Sequence, residues 1–135
     1  MRVVACIPLL LAATAAAAGP YDQPWSIITT DVARSADPKL LPVLVNRVDD
    51  RNALPGGREG AVVEPGPHEV TVDLHPRKGF PATQRTFPLT TEPCTRYYVG
   101  ALLKTTVGQE WEPVVRSRER IGECEAKFAT SRGAK

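Results

Sequence analysis

The chain has 135 residues, the size of one domain, and its 17 lysines and arginines against 15 aspartates and glutamates give a formal net charge of only +2 at pH 7. This near-neutral balance excludes the strong positive field that is typical of nucleic-acid binding proteins. The 13 prolines and 10 glycines leave almost no room for a helix of three turns, which favours a fold of short strands.

Residues 1–18 have the three parts of a cleavable secretory signal peptide. Arg2 supplies the positive charge, an apolar run follows it, and Ala16 and Ala18 fit the Ala-x-Ala pattern of a cleavage site after Ala18. The strongly apolar part is shorter than the stretch of about 20 residues that an uncleaved membrane anchor needs. We therefore expect an exported protein, periplasmic or secreted, that has no stable membrane insertion and binds no nucleic acid.

Cleavage would change the cysteine count from odd to even. It removes Arg2 and Cys6, which leaves 16 basic and 15 acidic residues and two cysteines, Cys94 and Cys124. Two cysteines in an oxidising compartment predict one structural disulfide, worth about 3.5 kcal/mol for a closed loop of about 30 residues. The alternative is a redox-active pair, which usually has Cys-x-x-Cys spacing.

Short runs of β-branched, aromatic and aliphatic residues predict six strands. In chain order they cover residues 25–32, 40–48, 69–75, 85–90, 96–106 and 111–121. The fourth strand contains Pro88, which indicates the edge of a sheet. Six or seven strands within residues 19–128 predict an all-β fold, a small antiparallel β-sandwich of Ig or transthyretin type with one disulfide. Residues 129–135 are small and polar, and we expect them to be disordered.

The segment 63–72 carries the clearest local pattern. Apolar residues at 70, 72 and 74 alternate with polar ones, as in a half-buried strand, and the preceding Pro65-Gly66 indicates a turn in which Gly66 has a positive φ. The sequence VEPGPHEVTV of this segment resembles the turn and strand of PEGA-type and carboxypeptidase-regulatory-like domains. These domains are small transthyretin-like sandwiches common on exported bacterial proteins. Residues 45–50, a strand ending in an acidic turn, are similar to them as well, and the resemblance implies a binding or structural role.

We find no catalytic, cofactor-binding or metal-binding pattern in the sequence. The serines that follow the signal lie outside a Gly-x-Ser-x-Gly elbow, and both remaining cysteines are predicted to be bridged. His68 and His75 are separated by an odd number of positions, which places them on opposite faces of one strand. We therefore expect no shared metal, a turn-proximal His68 and a solvated His75.

Trp111 stands between Glu110 and Glu112, which leaves two interpretations open. An exposed Trp can stack on a sugar, and a pair of carboxylates can hydrolyse a glycosidic bond, so the pattern fits a small carbohydrate-active hydrolase. Alternatively, Trp111 points into the core and the two glutamates are solvated.

Arg116, Arg118 and Arg120 alternate along the last predicted strand. In an extended chain they would share one face, about 7 Å apart, and could bind phosphates or carboxylates. The alternative is an edge strand that is protected from aggregation by its charges.

Together these patterns favour an exported, non-enzymatic binding or structural protein that works without a cofactor. Its partner would be a protein or an anionic glycan of the cell envelope or the extracellular space. The hydrolase centred on Trp111 is one alternative. A secreted inhibitor whose reactive loop is the glycine-rich turn 55–60 is another.

Overall fold

The computed structural model describes residues 19, 21–30, 36–53, 60–77 and 79–133, the last four by their backbone alone. In chain order the elements are β1 (Ser26–Thr30), β2 (Leu40–Pro42), β3 (Leu44–Val48), β4 (Arg51–Asn52), β5 (Ala61–Val63), β6 (Gly66–Leu74), β7 (Thr83–Thr91), β8 (Thr95–Leu103), β9 (Trp111–Arg120) and α1 (Gly122–Gly133). Each of the six predicted strand segments overlaps at least one of these strands, and β4 and β5 lie outside them. The all-β sandwich with one disulfide is thereby confirmed, while the predicted signal segment 1–18 lies outside the described residues.

The strands form two sheets. In the first sheet β8 is central, with β9 on one side and β1 and β2 end to end along the other, and β5 lies beyond β1. The second sheet has the order β4-β3-β6-β7, in which every pair is antiparallel. β1 lies parallel to β8, a departure from the predicted antiparallel arrangement. Parallel neighbours need a long connection, and here most of the domain separates the two strands.

Two details of the strands follow the sequence, and one does not. Gly66 has a positive φ of 134°, and β7, which contains Pro88, lies at the edge of the second sheet, both as predicted. The predicted strand 40–48 instead divides at the buried Val43, because β2 pairs with β8 in the first sheet and β3 pairs with β6 in the second.

Two apolar clusters occupy the two faces of the first sheet. Successive side chains of a strand point to opposite faces, so Ile28 of β1 joins the cluster between the sheets while Ile27 joins the cluster beneath α1. The larger cluster includes Val70, Val72 and Leu74, which confirms the alternation predicted for β6. The smaller cluster consists of Trp25, Ile27, Cys94, Ile121 and Cys124, with Val62 and Phe128 packed against it.

The helix α1 corrects the expectation that no helix of three turns would fit. It spans 12 residues, since the chain contains no proline after Pro113, and its first turn holds Glu123 and Glu125, whose charges favour a helix N-terminus. Cys124 and Phe128 lie four residues apart, on the face that packs against Trp25. The helix continues to Gly133, into the segment 129–135 for which the sequence indicated disorder. No helix among the described residues is long and apolar enough to cross a membrane.

Candidate functional site

The strand β9 borders the first sheet. It pairs with β8 along its whole length and, among the described strands, with no other. Its last four residues, from Ser117 to Arg120, are all exposed. The backbone N–H and C=O groups of an edge strand that point away from its neighbour can bond another chain. Because β9 also carries the predicted ligand residues, we treat it as the candidate binding surface.

An irregularity in β9 separates the predicted arginines. Ser117 lies opposite Tyr98 and Val115 lies opposite Val99, so Arg116 is an extra residue that has no counterpart on β8. Such a bulge shifts the alternation of the side chains that follow it by one position.

The bulge places the arginines on different faces of the first sheet. Arg118 lies opposite the buried Tyr97, on the side of the core. A Cβ atom on Gly100, which faces away from the core, would lie 2.6 Å from Cδ of Arg116, so the stem of Arg116 packs over this glycine. The prediction that Arg116, Arg118 and Arg120 share one face is therefore wrong, and only Arg118 and Arg120 do.

Arg120 is already engaged within the protein. Its Nε donates a hydrogen bond to Oε1 of Glu125 in α1 at 2.6 Å, and its Nη1 donates to Oγ1 of Thr95 in β8 at 3.3 Å. Since half of the Arg120 side chain is exposed, solvent screens this ion pair. The side chain therefore fastens the end of β9 to the helix.

Arg118 is exposed and lines an open cleft of about 280 Å³ together with Glu92, Thr95, Glu119 and Arg120. None of the hydrogen bonds or ion pairs among the described side chains engages its guanidinium group. The cleft thus offers the guanidinium of Arg118, while that of Arg120 is already bonded to Glu125. It can hold one acidic group at Arg118, but it lacks the concentrated charge of a polyanion site.

Glu119 points to the opposite face of β9. Its Oε2 accepts a hydrogen bond of 2.7 Å from the hydroxyl group of Tyr98, and this bond raises the pKa of Tyr98, as does the partial burial of the ring. Glu119 therefore helps to hold β9 against β8.

Trp111 lies inside the sandwich. Its side chain is 4% exposed and belongs to the larger cluster, and its Nε1 donates a hydrogen bond of 2.8 Å to Oγ1 of Thr83 in β7. Glu112 is exposed, and Glu110 forms an ion pair of 3.3 Å with Lys104. The structure therefore agrees with the second interpretation, in which Trp111 points into the core and the two glutamates are solvated. The indole ring of Trp111 is not available to stack on a sugar.

The predicted disulfide is confirmed, with the Cα atoms of Cys94 and Cys124 5.3 Å apart. Cys94 lies in the turn before β8, at a positive φ of 53°. Its N–H donates to the carbonyl oxygen of Trp25, and its own carbonyl accepts from the N–H of Ile121. The bridge and these two bonds fasten α1 to the beginnings of β1 and β8.

A polar cluster that the sequence analysis missed surrounds His68, at the opposite end of β6 from His75. His68 Nδ1 lies 2.8 Å from Oδ2 of Asp49, and its Nε2 lies 2.5 Å from the carbonyl oxygen of Glu64. Oδ1 of Asp49 accepts the N–H of Glu69 at 3.0 Å. We call the group of His68, Asp49 and the Glu64 carbonyl the His68 clasp.

The clasp shifts both of its titratable groups toward their charged forms. Burial lowers the pKa of His68, but the bonds to Asp49 and Glu64 and the charges of their carboxylates outweigh burial, so that the pKa is raised. The hydrogen bond from His68, followed by that from the Glu69 N–H, lowers the pKa of Asp49. A signal was available in the sequence, because His68 has the same parity as Val70 and Val72 and an inward-facing histidine needs partners.

His75 is exposed just beyond β6. The described residues contain no cluster of three or more His, Cys, Asp or Glu side chains that could hold a metal ion. Most of the turn 55–60, the predicted inhibitor loop, lies outside the described residues.

Comparison with known proteins returns no matching family model, no matching curated protein and no matching solved structure. The resemblance of residues 63–72 to PEGA-type and carboxypeptidase-regulatory-like domains therefore stays a prediction.

Proposed function

We propose that this chain is an exported, non-enzymatic binding module that takes up an extended segment of a partner protein along the free edge of β9. The observation that carries the proposal is the exposed run from Ser117 to Arg120 on a strand that pairs, among the described strands, only with β8. In strand addition, the backbone supplies most of the affinity and flanking side chains supply the specificity. Arg118 favours a partner segment that has an acidic side chain opposite it.

Two features support export. Residues 1–18 have the composition of a signal peptide, and Cys94 and Cys124 form a disulfide. Structural disulfides persist in oxidising compartments and are rare in the cytosol. The partner would therefore lie in the cell envelope or outside the cell.

The geometry of β9 favours a protein partner over a glycan. A polyanion needs several basic groups on one surface, whereas Arg116 lies over Gly100 and Arg120 bonds Glu125. One free guanidinium beside an open strand edge is better suited to a single acidic side chain on a peptide.

The test begins with capture of partners from the native secretome by the wild-type protein, followed by synthesis of the acidic segments of each captured partner. We expect a binding peptide to slow hydrogen exchange at β9 amides in NMR spectra. Arg118→Ser should weaken binding about twofold to fivefold, the size of an exposed ion pair. Arg85→Ser, on the exposed edge strand β7 of the other sheet, is the matched control and should leave the affinity unchanged.

Two results would contradict this proposal. One is a peptide that binds without protecting any β9 amide. The other is an acidic polysaccharide that binds with an affinity dependent on Arg118 while no captured peptide binds, since that result would indicate a glycan partner.

A further inference from the structure

The imidazole ring of His68 faces two groups that can only accept hydrogen bonds. The Glu64 carbonyl oxygen lies at Nε2, and the Asp49 carboxylate, ionised because its pKa is lowered, lies at Nδ1. A neutral imidazole has one donor and one acceptor, whereas an imidazolium has two donors. Both bonds can therefore exist together only while His68 is protonated.

Among the residues that the structure describes, no charged group other than those of Asp49 and Glu64 acts on the ring of His68. Leu89 lies opposite it on β7. The charges that act on its ring are those of Asp49 from the β3–β4 turn and of Glu64 from the β5–β6 turn, and both favour the imidazolium. Arg51 of β4 acts on Asp49 and favours its ionised form. The protonation state of one ring thus decides whether the two turns are linked.

We propose that the His68 clasp is a proton-controlled latch, which joins the β3–β4 turn to the β5–β6 turn while His68 is protonated and opens when the ring becomes neutral. Once neutral, His68 keeps one of its two bonds and loses the other. If it retains Nε2–H for Glu64, its Nδ1 lone pair faces the Asp49 carboxylate and repels it. This inference does not depend on the proposed binding at β9.

Opening the latch should loosen a defined piece of the second sheet. Asp49 continues the pairing of β3 with β6, because its N–H donates to the Glu69 carbonyl at 2.7 Å and its side chain accepts the Glu69 N–H. Asp49 also has a positive φ of 53°, an uncommon backbone conformation that these side-chain bonds help to hold. The Glu69 amide therefore reports directly on the latch.

The direction of the pH effect follows from the two pKa shifts. The pKa of His68 is raised above 6.5, so its contribution to stability is full below pH 6.5 and is lost as the pH rises through the folded-state pKa. The pKa of Asp49 is lowered below 3.8, so its contribution is present above pH 3.8 and is lost as the pH falls through the folded-state pKa. The latch is therefore tightest between pH 3.8 and 6.5 and opens on the alkaline side.

The variant Asp49→Asn tests the latch with almost no change of shape. Asparagine tolerates a positive φ, its oxygen can still accept the Glu69 N–H, and its amide can donate to Nδ1 of a neutral His68. The substituted clasp is thus satisfied without a proton. We expect the NMR titration midpoint of His68 to lie above 6.5 in the wild type and below it in Asp49→Asn.

Hydrogen exchange at the Glu69 amide supplies the second measurement. After correction for intrinsic exchange, we expect wild-type protection to fall about threefold to tenfold as His68 loses its proton, the size of one partly exposed charged hydrogen bond. Protection in Asp49→Asn should not follow this titration. His75→Gln serves as the control, because it removes the other histidine and should reproduce the wild-type behaviour.

The proposal is overturned by a wild-type midpoint for His68 at or below 6.5. It is equally overturned if Glu69 protection varies with pH in the same way in the wild type and in Asp49→Asn. The wild-type titration decides the matter by itself should the variant fail to fold.

Discussion

The indole of Trp111 links the two sheets through one hydrogen bond. Trp111 begins β9 in the first sheet, and the Oγ1 atom that accepts its Nε1–H belongs to Thr83, at the start of β7 in the second. A buried indole N–H that loses its acceptor has no hydrogen bond to offset the free-energy cost of its removal from water. This hydrogen bond therefore joins the start of β9 in the first sheet to the start of β7 in the second.

Thr83→Val should lower the free energy of unfolding by about 1–2 kcal/mol, because valine keeps the shape of threonine and removes the acceptor. Thr86→Val is the matched control on the same strand. Thr86 bonds only the hydroxyl of Thr71 on an exposed face, so its loss should cost less than about 0.5 kcal/mol. Urea titrations of both variants measure the difference, and equal losses would show that the indole bond contributes nothing special.

At the scale of single residues, the sequence predicted contacts that depend on local alternation or pairing. The inward row of β6 and the bridge between Cys94 and Cys124 are of this kind. The His68 clasp was missed because Asp49 and His68 lie 19 positions apart and meet only when β3 pairs with β6. The division of the arginines was missed because the extra residue at Arg116 is defined by the register of β8.

At the scale of elements, the strand β5 depends on the residue before it. Gly60 has a positive φ of 77°, and a Cβ atom on it would lie 2.5 Å from the carbonyl oxygen of Ile28 in β1. This close approach lets Ala61 pair with Ile28 and so places β5 at the border of the first sheet. The short strands β4 and β5 lie outside every predicted strand segment, because a strand of two or three residues depends on its neighbours and its composition alone does not separate it from a loop.

Gly60→Ala should destabilise the protein by more than about 2 kcal/mol, because strain at positive φ adds to a collision with backbone atoms that cannot move away. Gly79→Ala provides the comparison. Gly79 also has a positive φ, of 87°, but a Cβ atom there meets nothing within 4 Å, so we expect a loss of only about 1 kcal/mol. If thermal unfolding shows equal losses for the two variants, close packing at Gly60 is not the cause.

At the scale of the whole molecule, the fold is a sandwich with a helix fastened to one outer face. The sequence predicted the sandwich from six strand segments, because each of these segments carries its own alternation or apolar run. The helix could not be predicted in the same way, since its apolar face consists of little more than Cys124 and Phe128. The surface that it covers comes from Trp25 and Ile27, about a hundred positions earlier in the chain.

Each of the two clusters contains one tryptophan, so the two parts can be followed separately. Trp25 lies beneath α1 and Trp111 lies between the sheets, and both are buried. The disulfide spans 30 positions, for which chain entropy predicts a loss of about 3.5 kcal/mol on removal. Because the bridge lies inside the smaller cluster, we expect its removal to destabilise α1 and the packing of Trp25 first.

Cys94→Ala combined with Cys124→Ala should therefore unfold in two stages. With Trp111→Phe added, the remaining Trp25 fluorescence should shift to the red at low urea, as the helix leaves the sheet. With Trp25→Phe added instead, the Trp111 signal should change only at higher urea, when the core between the sheets opens. The same tryptophan replacements in the bridged protein are the controls, and there the two signals should change together. Coincident transitions without the bridge would show that the helix and the sandwich unfold as one unit.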